Sequence, residues 1–101
     1  MNRIHVIYID DALDDHVARF VCAHELGHAM LHRGENRIFM DANTLFVTSR
    51  FETEADHWAA DLLLSDDDLR EEMLCRSTVQ QIACAYGLPE ELVLYRIHSV
   101  T

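Results

Sequence analysis

Apolar residues in this chain come in short runs, and the spacing within each run indicates the element it belongs to. Residues 4–9 (Ile-His-Val-Ile-Tyr-Ile) are rich in β-branched and aromatic side chains and end at Asp10-Asp11, which predicts a strand meeting a turn. From residue 14 to 32 the apolar positions Val17, Phe20, Val21 and Leu31 recur at helical spacing, and His24 and His28 fall on the same stripe. Asp14 and Asp15 suit the positive end of that helix, and Gly34 is a stop. Residues 37–40 predict a second strand and residues 45–47 a short third one. Ser49 and Glu52 have the spacing of a capping box, which starts a second helix running to about Leu64. Its inner face would carry Glu52, Ala55, Asp56, Ala59 and Leu63. Ser65 ahead of three aspartates opens a third helix. Ser77 with Gln80 caps a fourth ending near Tyr86, Gly87 stops it, and Pro89 lies in the first turn of a last helix reaching about His98. The expected fold class is therefore α+β, mostly α, with a small antiparallel or mixed sheet beside a helical core.

Composition narrows the classes. A chain of 101 residues has room for one domain and one core. Half of it is hydrophobic, with three Gly and one Pro, which is globular rather than disordered. No stretch approaches the ~20 apolar residues needed to cross a bilayer, and the start lacks the apolar core of a signal peptide. Cys22, Cys75 and Cys84 are odd in number and far apart, so reduced, buried thiols in the cytoplasm are expected. The formal net charge of -10 opposes phosphate-driven binding, which points to a protein partner and not to nucleic acid. The last two helices superficially resemble a DNA-reading pair, but they offer little basic charge beyond Arg76 and Arg96. The run Asp66-Asp67-Asp68 lacks the alternating ligands of a calcium loop and suits a helix start.

Chemistry enters with His24-Glu25-Leu26-Gly27-His28. His-Glu-x-x-His on a helix sets two imidazoles one turn apart on one face, where both can bind one zinc ion. The glutamate after the first histidine points about 100° around the helix, within reach of a water on the metal, as a general base requires. Zinc lowers the pKa of such a water toward neutrality. A catalytic zinc needs a third protein ligand. His32 lies eight residues from His24, about 12 Å of rise, too far to share an ion held by bonds of about 2.0–2.1 Å.

The second helix offers Glu52 and Asp56, four apart on one face. One would bind the metal while the other accepts the free ring N–H of a ligand histidine and fixes its orientation. Glu54 is the alternative ligand, but it lies about 200° around the helix from Glu52 and out of register with Asp56. No motif names the group that stabilises an oxyanion; Tyr8, His57, Tyr86 and Tyr95 are the candidates.

These residues resemble the ImmA/IrrE family of small metallopeptidases. The matching stretches are 23–28 with Leu31 and His32, and Glu52-x-Glu54-Ala55-Asp56-x-Trp58-Ala59-Ala60 with 62–64. The third is the C-terminal run Ile82-Ala83-x-x-Tyr86-Gly87-Leu88-x-x-Glu91-Leu92-Val93-x-x-Arg96. The resemblance implies His24, His28 and Glu52 as zinc ligands, Glu25 as general base and Asp56 as the partner of a ligand histidine. It also implies a cytosolic endopeptidase that cleaves a regulatory protein, often a helix-turn-helix repressor encoded nearby on a prophage or mobile element. Asp56 stands where the family usually has asparagine, Trp58 where it has phenylalanine, and Leu64-Ser65 where it has Met-Pro. The chain also begins close to the first expected strand, without the helical N-terminus many relatives carry. The reading from a different class is a metal-binding regulatory module that grips a partner without cutting it; an intact Glu25 argues for the enzyme.

Overall fold

The computed structural model describes residues 9, 11–31 and 44–101. Within them the chain forms five helices: α1 (Asp15–Leu31), α2 (Thr44–Leu63), α3 (Asp66–Leu74), α4 (Val79–Tyr86) and α5 (Glu90–Val100). No strand occurs among the described residues, so the expected α+β class is corrected for them: their regular structure is all helical. Ile9 carries no regular structure; the rest of the first expected strand, the second at 37–40, Gly34 and His32 lie outside the described residues. The third expected strand is helical: residues 45–47 belong to the start of α2. An apolar run of three has no period of its own, and extending an existing helix adds one hydrogen bond per residue fixed. Ser49 is consequently inside α2 and not at its cap; its carbonyl accepts the Thr53 hydroxyl at 3.0 Å.

The later helices owe their limits to local chemistry. Ser65 is the N-cap of α3, its hydroxyl accepting the Asp68 N–H, and Asp66, Asp67 and Asp68 occupy the positive first turn. The capping box of α4 lies one residue later than expected. Thr78 accepts the Gln81 N–H at 3.0 Å and the Gln81 side chain accepts the Thr78 N–H at 2.8 Å. Ser77 instead donates to Glu72 at 2.6 Å. Gly87 ends α4 in the left-handed region at φ 68°, and a Cβ there would come within 2.7 Å of the His16 side chain. The turn and the start of α1 both depend on that glycine. Pro89 is the N-cap of α5, with the N–H groups of Leu92 and Val93 donating to its carbonyl.

Leu64, Leu69, Ile82, Ala83, Leu88 and Val93 form the apolar core, with Phe20 of α1 packed against it. Arg96 is buried beside this core yet fully engaged. Its Nε donates to the Leu64 carbonyl at 2.9 Å, and its guanidinium pairs with Asp66 and, at 3.3 Å, with Asp61. It ties the end of α2 to the start of α3 and is not offered to an outside phosphate. All three cysteines are free, but Cys75 and Cys84 are exposed and Cys22 half-buried, which corrects the expectation of buried thiols. No helix among the described residues is long and apolar enough to cross a membrane.

Candidate metal centre

α1 meets α2 along small residues. Ala23 and Gly27 on one helix, and Ala55, Ala59 and Ala60 on the other, are buried. The approach is closest at Gly27, where a Cβ would sit 3.2 Å from both the Ala55 carbonyl oxygen and the Trp58 ring. Glycine here lets the two backbones draw together, bringing the polar side chains on either side of the seam within reach of each other.

Four of those side chains interlock. The carboxylate of Asp56 lies 2.6 Å from His24 Nδ1. Across the ring, His24 Nε2 is 2.8 Å from Glu52 Oε2 and 3.1 Å from His28 Nε2, while His28 Nε2 is 3.0 Å from Glu52 Oε1. Ligand atoms of His24, His28 and Glu52 all lie within 4.8 Å of one another. The two imidazoles stand edge to face, with ring centroids 4.7 Å apart. His28 is buried, while about two-fifths of the Glu52 side chain remains open to solvent.

The chemistry of this donor set tests what it can hold. Asp56 accepts the Nδ1–H of His24, which turns the lone pair of Nε2 toward His28 and Glu52. Two imidazole nitrogens and a carboxylate then face one point, each able to offer it a lone pair. A cation at that point satisfies all three, and two imidazoles with a carboxylate are a set that transition-metal ions accept. The group thus fits a metal ion.

The other residues singled out from sequence fall around this centre. Glu25 is half-buried next to His24 on α1. Glu54, the alternative ligand, pairs with Arg50 at 3.3 Å. Of the oxyanion candidates, Tyr95 stacks flat on His57 at 3.8 Å and directs its hydroxyl to Asp61. Burial, and then the Asp61 charge, raise its pKa above the ordinary value. Tyr86 is likewise raised by burial and by the acids of α3, Asp68 foremost. Tyr8 lies outside the described residues. Sequence reasoning placed Phe20 on the histidine stripe but gave it no role at the centre, and it did not single out Gly27. Phe20 lies one turn before His24 with its ring 6.1 Å away, and Gly27 enforces the helix contact. The second was legible in principle, because a glycine inside a helical stripe is destabilising unless a close approach needs it.

The chain is similar to known proteins over most of its length. Residues 1–98 match the family model Peptidase M78, described as an IrrE N-terminal-like domain. The chain is 41% identical over 90 residues to "Uncharacterized immunity region protein 2" of Bacillus phage phi105, a match covering 89% of this chain and 57% of that protein. It is 28% identical over 98 residues to "Metallopeptidase ImmA" of Bacillus subtilis (strain 168), covering 95% of this chain and 57% of that one. The chain therefore spans little more than half the length of these relatives. No solved structure matches. On the family match across nearly its whole length, this chain belongs to the peptidase M78 family of IrrE N-terminal-like domains.

Proposed function

We propose that this chain is the catalytic core of a zinc-dependent endopeptidase of the cytoplasm, acting on a regulatory protein such as a helix-turn-helix repressor. The observation that carries the reading is the convergence of His24, His28 and Glu52 within 4.8 Å, with Asp56 holding the far side of His24. His24, His28 and Glu52 are the ligands in this reading. A zinc ion held by these three residues would supply Lewis-acid polarisation of a peptide carbonyl and acidify water toward neutral pH. Asp56 fixes the tautomer of His24 so that Nε2 is the ligand atom, and stiffens the ring against rotation. Glu25 takes the proton of the attacking water and passes it to the leaving amine. The names of the two relatives, one from a phage immunity region and one a metallopeptidase, support a regulatory target. The chain's charge of -10 favours encounter with a basic DNA-binding protein.

The test is cleavage of a small repressor encoded beside this protein, with metal content measured on every variant. Glu25→Gln is expected to retain zinc and lose cleavage by about 10²–10⁴-fold, the range for a general base. His24→Ala and Glu52→Ala are expected to lose metal. Undiminished cleavage by Glu25→Gln sinks the mechanism and leaves the non-cutting metal module as the better reading. Zinc kept by Glu52→Ala but lost by Glu54→Ala overturns the third ligand.

A further inference from the structure

Behind the metal-facing side of His24, a cavity of about 250 Å³ opens between α1, α2 and the start of α5. It is smaller than the ~300–1,000 Å³ of typical small-molecule sites, and suits one long side chain better than a whole ligand. Phe20 and Leu92 supply apolar surface, while Thr53, Asp56, His57 and Glu91 supply polar groups. The two carboxylates come from different helices. Asp56 gives one oxygen to His24, and more than a third of its side chain is open to solvent. Glu91 is exposed in the first turn of α5.

The lining is therefore aromatic and aliphatic at one part and anionic at another. An apolar side chain would satisfy Phe20 and Leu92 but would displace water from Glu91 and from the Asp56 oxygen not given to His24, offering neither a hydrogen bond in return. A carboxylate would meet like charges, and the amide ends of α5 are already matched by Glu90 and Glu91. A side chain with an aliphatic stem and a cationic head satisfies every part. Its stem lies along Phe20 and Leu92 and its head reaches the carboxylates, with the Phe20 face adding cation–π attraction.

We propose that this cavity is a specificity pocket for an arginine or lysine side chain of the protein bound at the metal centre. The inference rests on the peptidase reading for its biological meaning, but the pocket chemistry stands on the lining alone. It also narrows the substrate class to proteins carrying a basic residue close to the bond that is cut. Occupancy would be felt at the centre, because Asp56 is shared between the pocket and His24.

The experiment is a titration of the full chain, isotopically labelled and followed by NMR, with N-acetyl-arginine amide and separately with N-acetyl-norleucine amide. The arginine probe is expected to give saturable shifts at Phe20, Thr53, His57 and Leu92 and at the His24 ring, while the norleucine probe gives none there. Glu91→Lys, an exposed substitution outside the metal group, is expected to weaken the arginine probe by about fivefold or more. Equal shifts from both probes, shifts mapping elsewhere, or indifference to Glu91→Lys would each overturn the pocket. No cleavage step enters this measurement, so its failure is separable from failure of the peptidase reading. A chain that binds arginine but cuts nothing sinks only the latter.

Discussion

The α1–α2 pair and the three helices after it bury different kinds of surface. Around α3, α4 and α5 the buried side chains, Arg96 and Ala83 apart, are large and apolar, with Leu64, Leu69, Ile82 and Val93 almost completely enclosed. Helix ends there are closed by Ser65, by the Thr78–Gln81 box and by Gly87. On α1 and α2 the buried residues are alanines, one glycine, His28 and a single large apolar side chain, Phe51, and polar contacts link the side chains of the centre. Alanine and glycine bury little apolar area, so apart from Phe51 this pair gains less from the hydrophobic effect than the leucine-rich core does. What the pair gains is proximity, which a metal site needs. One half of the molecule holds the fold and the other holds the chemistry.

The largest effect should follow from attacking the first half. Leu69→Ala deletes a fully buried side chain in the core and should cost about 2–5 kcal/mol. Urea denaturation would measure it as a fall in midpoint, with α1 and α2 lost in the same transition. The converse handle on the second half is metal. Zinc at about 1,000 times its dissociation constant should stabilise the wild type by roughly 4 kcal/mol, and His28→Ala should abolish that gain. A zinc-induced rise in melting temperature that survives His28→Ala would show that the ion binds elsewhere.

Gly27→Ala tests the seam itself. Alanine favours a helix over glycine by about 1 kcal/mol. The new Cβ, however, would press on the Ala55 carbonyl and Trp58 ring at 3.2 Å, and such overpacking costs about 1–3 kcal/mol. The helix gain offsets part of the overpacking cost, leaving a net loss of about 0–2 kcal/mol. Geometry has no such offset, because any widening moves Glu52 away from His24 and His28. Metal affinity, measured by competition with a chelating dye, should therefore fall by about 10–100-fold, as when groups supporting ligands are disturbed. Unchanged affinity would break the link between close packing and the site.

The same contrast explains what the sequence made legible. His24 and His28 could be placed on one stripe because helical period is a local property, and Glu52 with Asp56 follows from the same rule on the next helix. Helix limits at Ser65 and Gly87 were legible because cap chemistry acts within a few residues. The α4 start was ambiguous: Ser77 with Gln80 and Thr78 with Gln81 are two overlapping boxes. The second forms, while the Ser77 hydroxyl donates to Glu72. Arg96 was opaque because its partners, Leu64 and Asp66, lie about thirty residues away. Residues 45–47 misled because so short a run carries no period.

A smaller effect is expected at the α4 cap. Thr78→Ala removes one side of the box and should cost about 1 kcal/mol, whereas Ser77→Ala should cost less. Equal losses in thermal melts would mean that the two boxes share the role. Neither change should alter metal affinity, since both lie in the half that holds the fold.

The smallest effect concerns pH at the joint between the halves. The hydrogen bond from Arg96 holds the Asp66 carboxyl below its ordinary value of 3.8, against a weaker opposing push from desolvation. A carboxylate whose folded pKa is depressed stabilises the fold above its unfolded pKa and loses that contribution as pH falls through the folded one. Asp66→Asn should therefore lower the melting temperature slightly at neutral pH. The difference from wild type should shrink as pH drops below 3.8 and vanish once the wild-type carboxyl is protonated. Tyr95 supplies the opposite sign. Its pKa is raised by burial, so its contribution is complete below 10.0 and fades as pH rises further. Tyr95→Phe should remove that alkaline loss and leave the acid side unchanged. If Asp66→Asn instead kept its full deficit in acid, Arg96 would be acting through its bond to the Leu64 carbonyl, and the ion pair would be incidental to how α2 is fastened to the core.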